Sequence, residues 1–247
     1  MLMERVFLLM GVICVPCENK PGRHLSKIFF CFRNFDVEIR NKIDSLEESS
    51  ERLFLFLIRI LKEKGMASRD IQTIRTLYGV LQNSEIQYTE KNYLNHPLRV
   101  TASWLLPRET VSLDDVVIGL CHNIRETGKG HLNFIEHDFF SSKNRDKLDC
   151  LTIDRSKERN IEYLEMFYDR IADFDSDLIV LKGFDKLDNK LMYPLFDVEQ
   201  YHFDVVQNFV CPRLEGRNKK LADYLFALAK YVASDPVKIK YRNGGSC

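Results

Sequence analysis

This 247-residue sequence has no excess of charge of either sign, because Lys and Arg together number 36 and Asp and Glu together number 36. A protein that binds nucleic acid through a broad basic surface carries a clear excess of Lys and Arg. The zero net charge therefore argues against nucleic acid as a partner. A small anionic ligand remains open, since it needs only local positive charge.

Apolar runs long enough to cross a bilayer are also absent. The two dense runs are the ten residues from Val6 to Val15 and the nine from Leu53 to Leu61. A membrane-spanning helix needs about 20 apolar residues. Neither run therefore predicts a span, and the second predicts a buried helix.

Paired cysteines are lacking too. The seven cysteines are odd in number and irregularly spaced, and Cys121 lies within an apolar segment. Disulfide frameworks use even numbers of cysteines in secreted chains. This pattern predicts reduced thiols and a cytoplasmic location.

Residues 1–34 differ in composition from the rest and contain Cys14, Cys17 and Cys31. With His24 these cysteines suggest a zinc knuckle, although their spacing matches no common zinc module. A signal peptide is the second reading, but no distinctly positive start and no clean cleavage site are present. We favour a third reading, a poorly ordered leader.

Strand-like alternation and internal repeats are missing, whereas apolar residues recur at helical spacing from Phe35 onwards. The hydrophobic content of 45% is ample for a core in a chain of this length. We predict an all-α fold with one helical domain over 35–233 and a tail over 234–247.

Polar side chains interrupt the apolar pattern between Tyr93 and Gly128. His96 stands just before one apolar helix, and His122 followed by Asn123 ends another. If the helix continues, Glu126 lies on the same side as His122, because residues i and i+4 are neighbours on a helix. This arrangement predicts a lined pocket.

A second segment, Asp177 to Asn189, has an apolar run that leads to Asp185, and Asn189 follows one helical turn later. Imidazole, amide and carboxylate groups form a mixed nitrogen and oxygen set that suits manganese, iron or zinc. Periodicity alone leaves open whether the two segments meet.

The order of these motifs resembles the HD-domain phosphohydrolases, and in particular the hydrolase domain of RelA/SpoT-type alarmone enzymes. His96-Pro97-x-x-Val100 comes first, then His122-Asn123-x-x-Glu126, then Lys182-x-x-Asp185-x-x-x-Asn189. The resemblance covers roughly residues 70–232. It implies an HD-type helical bundle with an N-terminal helical extension.

The resemblance also implies a role for each of these positions. Four residues take the place of the family's metal ligands: His96, His122, Asn123 and Asp185. Mn²⁺ is the expected ion, with Fe²⁺ or Zn²⁺ as alternatives. Glu126 and Asn189 take catalytic positions, and Glu126 places or deprotonates the attacking water. Asn189 also contacts the nucleotide, and Arg99 and Lys182 either support the metal ligands or bind phosphate.

The sequence departs from the family at several positions. Asn123 replaces the aspartate that gives the family its name, so the ligand set has one formal negative charge instead of two. Thr127 follows Glu126 where the alarmone hydrolases usually have an aspartate, and few basic residues precede His96. The one literal His-Asp pair, His137-Asp138, is a rival metal dyad, but it lacks a long apolar helix to carry it.

Two functions follow from these observations. The first is a metal-dependent phosphohydrolase that acts on a nucleotide or a (p)ppGpp-like pyrophosphate. The second is a catalytically degenerate HD domain that binds a small phosphorylated ligand or another protein, which the neutral Asn123 favours. Metal content distinguishes the two.

Overall fold

The computed structural model describes residues 35–45, 49–83, 94–126 and 140–242. The predicted leader, Thr127 and the His137-Asp138 pair lie outside these ranges. Within them the regular structure is entirely helical, which confirms the all-α prediction. In this described part of the chain, no helix is long and apolar enough to cross a membrane.

The described residues fall into two compact units, 49–155 and the combination of 35–45 with 156–242. The sequence predicts one domain over 35–233. Because the second unit combines segments from both ends of the chain, sequence position alone does not indicate this division.

The 49–155 unit contains five α-helices: α2 (Ser50–Glu63), α3 (Ser68–Asn83), α4 (Asn95–Leu105), α5 (Leu113–Cys121) and α6 (Ser142–Leu151). Helix α4 is buried along its entire length and packs against α2 and α5. Helix α5 also packs against α3 and α6. The two helices that carry the histidines are therefore at the centre of this unit's core.

The other unit begins with α1 (Phe35–Asp44) and continues with helices from the C-terminal part: α7 (Ile161–Phe174), α8 (Ser176–Met192), α9 (Gln200–Val205), α10 (Cys211–Glu215), α11 (Lys219–Ala233) and α12 (Asp235–Arg242). A π-helical turn, Val206–Val210, joins α9 to α10. Helix α8 packs against α1, α7 and α11. It is the central helix of the unit, and it carries Asp185.

Two boundaries differ from the sequence expectation. The helical spacing that begins at Phe35 is interrupted before the apolar run of Leu53 to Leu61, because α1 ends at Asp44 and Ser49 caps α2 by accepting a hydrogen bond from the Arg52 backbone. The predicted tail contains α12, in which Val237 is buried. Eight residues give too short a pattern for helical periodicity to be recognised.

Candidate metal centre

His122 stands at the C-terminal end of α5. The helix begins with a capping box, in which the Ser112 hydroxyl accepts from the Asp115 backbone and the Asp115 carboxylate accepts from the Ser112 backbone. At the other end, His122 Nδ1 donates to the Gly119 carbonyl oxygen at 2.7 Å. Because a carbonyl can only accept, Nδ1 carries a proton, and in the neutral ring the lone pair is on Nε2. Histidines that bind metals are commonly oriented in this way.

His96 occupies the first turn of α4 and is buried. Its ring centroid lies 5.3 Å from that of His122, with the ring planes inclined by 57°. Packing of α4 against α5 therefore brings together two imidazoles that are 26 residues apart in sequence. The sequence places each histidine at the end of an apolar helix, but only this packing makes them neighbours.

Asn123 is buried beside the histidine pair. Its side-chain nitrogen Nδ2 lies 3.2 Å from His96 Nε2. Among the described residues, its carbonyl oxygen Oδ1 has no hydrogen-bond partner. A buried polar atom without a hydrogen bond lowers the stability of the folded protein by about 1–3 kcal/mol unless a ligand or water satisfies it. Asn123 thus has an amide oxygen suited to a cation or a donor.

A close contact between Gly119 and Thr101 sets the spacing of α4 and α5. A Cβ atom built on Gly119 would lie 2.7 Å from Thr101 Oγ1 and 2.8 Å from Thr101 Cγ2. The Thr101 hydroxyl donates to the Pro97 carbonyl, next to His96. Gly119 itself accepts the His122 hydrogen bond. The absence of a side chain at position 119 therefore allows the approach of the two histidine-bearing helices.

Gly119→Ala is expected to destabilise the protein by about 1–3 kcal/mol, because the added methyl group overpacks this contact. Gly79→Ala, in α3, is the matched control, since no atom lies within 4 Å of the added Cβ. We expect the control to be neutral or stabilising, because alanine is the better helix former. The free energy of unfolding in urea measures both. Equal effects of the two changes on the free energy of unfolding would refute the role of Gly119 in setting the distance between α4 and α5. Adding Thr101→Ala to Gly119→Ala should restore stability, because it removes the atoms that the new methyl group overlaps.

Asp185 lies in the middle of α8, which begins after an Asp175 cap. Its carboxylate is buried and accepts a 2.9 Å hydrogen bond from Asn189 Nδ2, as the one-turn spacing predicts. The other carboxylate oxygen lies 3.1 Å from Lys182 Nζ and 3.6 Å from Lys186 Nζ. Side chains of its own helix thus balance the negative charge and orient the carboxylate.

Three of the predicted ligands form a group that could hold a metal ion. His96, His122 and Asp185 are buried, and each offers one ligand atom that lies within 4.8 Å of those of the other two. Two nitrogen donors and one oxygen donor suit a borderline divalent ion. The three residues could therefore hold a divalent metal ion.

Glu126 differs from the sequence expectation in its local structure. Helix α5 ends at Cys121, and Ile124–Glu126 form a 3₁₀ turn, so the predicted helical i,i+4 relation to His122 does not apply. The Glu126 carboxylate is nearly buried and accepts a 2.6 Å hydrogen bond from Arg155 Nη2. The Ile153 backbone N–H donates to it at 3.5 Å. Its catalytic role stays a prediction.

Arg99 and Lys182, for which the sequence predicts phosphate binding, are both buried. Their roles also stay predictions. Sequence reasoning missed Lys186, Gly119 and Thr101. The sequence does not predict the contact between Lys186 and Asp185, because residues adjacent in sequence usually face different directions on a helix. Gly119 gives only a weak signal, as a glycine inside an apolar helix.

No protein-family model matches the chain, no curated protein matches it, and no solved structure matches it.

Proposed function

We propose that this protein is a metal-dependent phosphohydrolase that acts on a nucleotide or another pyrophosphate-bearing metabolite. The observation that carries the proposal is the buried group of His96, His122 and Asp185, whose ligand atoms lie within 4.8 Å of one another. Buried imidazoles and a buried carboxylate at this separation are typical of a site for a divalent ion.

Two details support the fit of these residues to a metal. His122 donates from Nδ1 to Gly119, so its Nε2 lone pair is the one available for coordination. Asn123 Oδ1 is a buried oxygen without a hydrogen-bond partner among the described residues. If the Asn123 amide turns toward the ion, the set becomes two nitrogens and two oxygens.

A divalent ion held by His96, His122 and Asp185 would lower the pKa of a water molecule and polarise the phosphoryl oxygen. The chain's own residues would orient the reactants. Glu126 is held by Arg155 and the Ile153 backbone, and we propose that it accepts the proton of the attacking water. Asn189 holds the Asp185 carboxylate in position.

The test of this proposal is metal content and phosphate release. Protein purified without chelator should hold close to one equivalent of manganese, iron or zinc, and it should release phosphate from pyrophosphate-bearing nucleotides. Asp185→Ala should hold none, because it removes the only charged ligand. Asp204→Ala, an exposed aspartate on α9, is the control and should keep the metal. Unchanged metal in Asp185→Ala would refute the assignment.

A second candidate function is a non-catalytic domain that binds a phosphorylated ligand or a partner. It is favoured by the Asn123 amide nitrogen 3.2 Å from His96 Nε2, which competes for the lone pair that a metal would need. It is also favoured by the two lysines that already balance Asp185. Protein that stays free of metal at saturating manganese, iron and zinc would support this candidate.

A further inference from the structure

A groove with a volume of about 510 Å³ lies between α7 and the segment formed by α9 and the π-helical turn. Its apolar floor is buried: Leu164 comes from α7, and Val205 and Phe209 come from the other segment. Its rim is open, and Ile161 on α7 is 70% exposed. Enclosed sites bury most of the surface of a small ligand, whereas an open groove with an apolar floor suits side chains that another protein presents.

Arg213 of α10 holds the two sides of this groove together. Its guanidinium donates to the Phe209 carbonyl in the π-helical turn at 3.0 Å. It also donates to two carboxylates of α7, Glu165 at 2.7 Å and Asp169 at 2.8 Å. π-Helical turns are frequent at functional sites. The groove is therefore fixed before a partner arrives, which lowers the ordering cost of binding.

Negative charge predominates around the groove. The Arg159 guanidinium at its rim lies 2.7 Å from the Glu199 carboxylate, so this pair is neutral. Arg213 is shared between two carboxylates, which leaves one negative charge. Asp204 adds another, because the hydrogen bond that it accepts comes from the neutral amide of Gln200. These residues together have four carboxylates and two guanidinium groups, so their net charge is two negative units.

We propose that this groove binds a basic amphipathic helix of a partner protein. An apolar side chain of that helix packs on the floor of the groove and against Ile161, and its lysines or arginines lie beside Asp204 and Glu165. The charge of the rim attracts a basic partner and repels an acidic one. A helix is the expected form, because the described ranges contain no β-strand edge to which an extended segment could add. The groove includes no residue of the candidate metal centre, so this proposal is independent of the proposed function.

The experiment measures the affinity of two labelled synthetic peptides for the full-length protein by fluorescence anisotropy. One peptide is a short amphipathic helix of leucine and lysine, and the other has glutamate in place of each lysine. The lysine peptide should bind about tenfold or more tightly than the glutamate peptide, because only its charge complements the rim. Added salt should weaken its binding, since salt screens exposed charges.

Two substitutions separate the apolar and the charged contributions to binding of the lysine peptide. Ile161→Ala should weaken it about fivefold, because less apolar surface is buried. Ile239→Ala, at an isoleucine of α12 that is 61% exposed, is the matched control and should have no effect. Asp204→Lys should weaken binding about tenfold or more, because it sets like charges against each other. Asp146→Lys, at an exposed position on α6, is its control.

Three results would overturn the proposal. The first is no binding of the lysine peptide, or equal binding of the two peptides. The second is an equal loss of affinity in the groove variants and their controls. The third is self-association of the unaltered protein in sedimentation that Ile161→Ala abolishes, because the groove would then hold a second copy of this chain. Thermal unfolding of each variant shows whether a loss of binding reflects a loss of folding.

Discussion

Asn123→Asp is expected to tighten divalent-metal binding by about tenfold or more, because the charge count of the ligands tunes the affinity of such sites. The present set has a single formal negative charge, on Asp185, and Lys182 and Lys186 already balance it. A carboxylate at position 123 would add the second charge beside His96. We expect faster phosphate release as well, because a better-held ion acidifies its water more effectively.

The same change tests whether the site is built for the neutral amide. Without metal, the new carboxylate would be a buried charge, since Asn123 is only 6% exposed. Burying an unpaired charge costs several kcal/mol. The metal-free variant should therefore be less stable than the unaltered protein, and manganese should restore its stability.

Thermal unfolding with and without manganese, together with phosphate release from a small nucleotide panel, measures both effects. Asn123→Ala is the control, because it removes the amide oxygen without adding charge, and it should weaken metal binding. An Asn123→Asp protein that is destabilised, gains nothing from manganese and releases no phosphate would contradict the phosphohydrolase proposal. It would favour the non-catalytic candidate.

The second large effect concerns Glu38, on α1. This side chain is 1% exposed, and among the described residues neither of its carboxyl oxygens has a hydrogen-bond partner. Burial raises its pKa from 4.5 to about 8. The folded protein therefore keeps Glu38 protonated and uncharged at neutral pH.

Stability is expected to fall as pH rises from about 4.5 to about 8. In this range the unfolded chain releases the Glu38 proton and the folded chain retains it. The free energy of unfolding therefore falls by up to about 1.4 kcal/mol for each pH unit. Above the folded pKa both states are ionised, and the loss levels off at several kcal/mol. Below pH 4.5 Glu38 is protonated in both the folded and the unfolded state, so none of this stability is lost.

Urea unfolding at intervals from pH 4.5 to 9 measures this slope. Glu38→Gln should flatten it, because the amide cannot ionise, and should stabilise the protein most at the alkaline end. Glu162→Gln, at an exposed position on α7, is the matched control and should leave the slope intact. A Glu38→Gln protein with the original slope would show that another group causes the pH dependence.

Ionisation of Glu38 is expected to weaken the packing of α1, the helix that carries it. The buried Lys42 ammonium lies 2.5 Å from Asp188 on α8, and the Tyr231 hydroxyl donates to Asp36. Lys240 also pairs with Asp36 at 3.1 Å. Ionised Glu38 would oppose this docking. Amide hydrogen exchange in α1 should therefore accelerate at alkaline pH before the global unfolding does.

The sequence by itself determined features that depend on near neighbours in the chain. Apolar spacing predicted the all-α fold, and the position of Asp185 one turn before Asn189 predicted a contact that the structure contains. The apolar spacing also placed His96 and His122 at the ends of apolar helices. Helical periodicity and one-turn side-chain pairs act over a few residues, so they can be read directly from the amino acids.

Only the tertiary structure decided which distant residues meet and which charges are buried. The 5.3 Å separation of the His96 and His122 rings depends on the Gly119 contact with Thr101. Glu38 and Lys42 belong to residue types that are normally exposed, yet both are buried in α1. Packing between helices depends on the shapes of whole surfaces, which residues close in sequence do not specify. For this reason the ligand types were predictable, whereas the buried carboxyl of Glu38 and the contact of Lys186 with Asp185 were not.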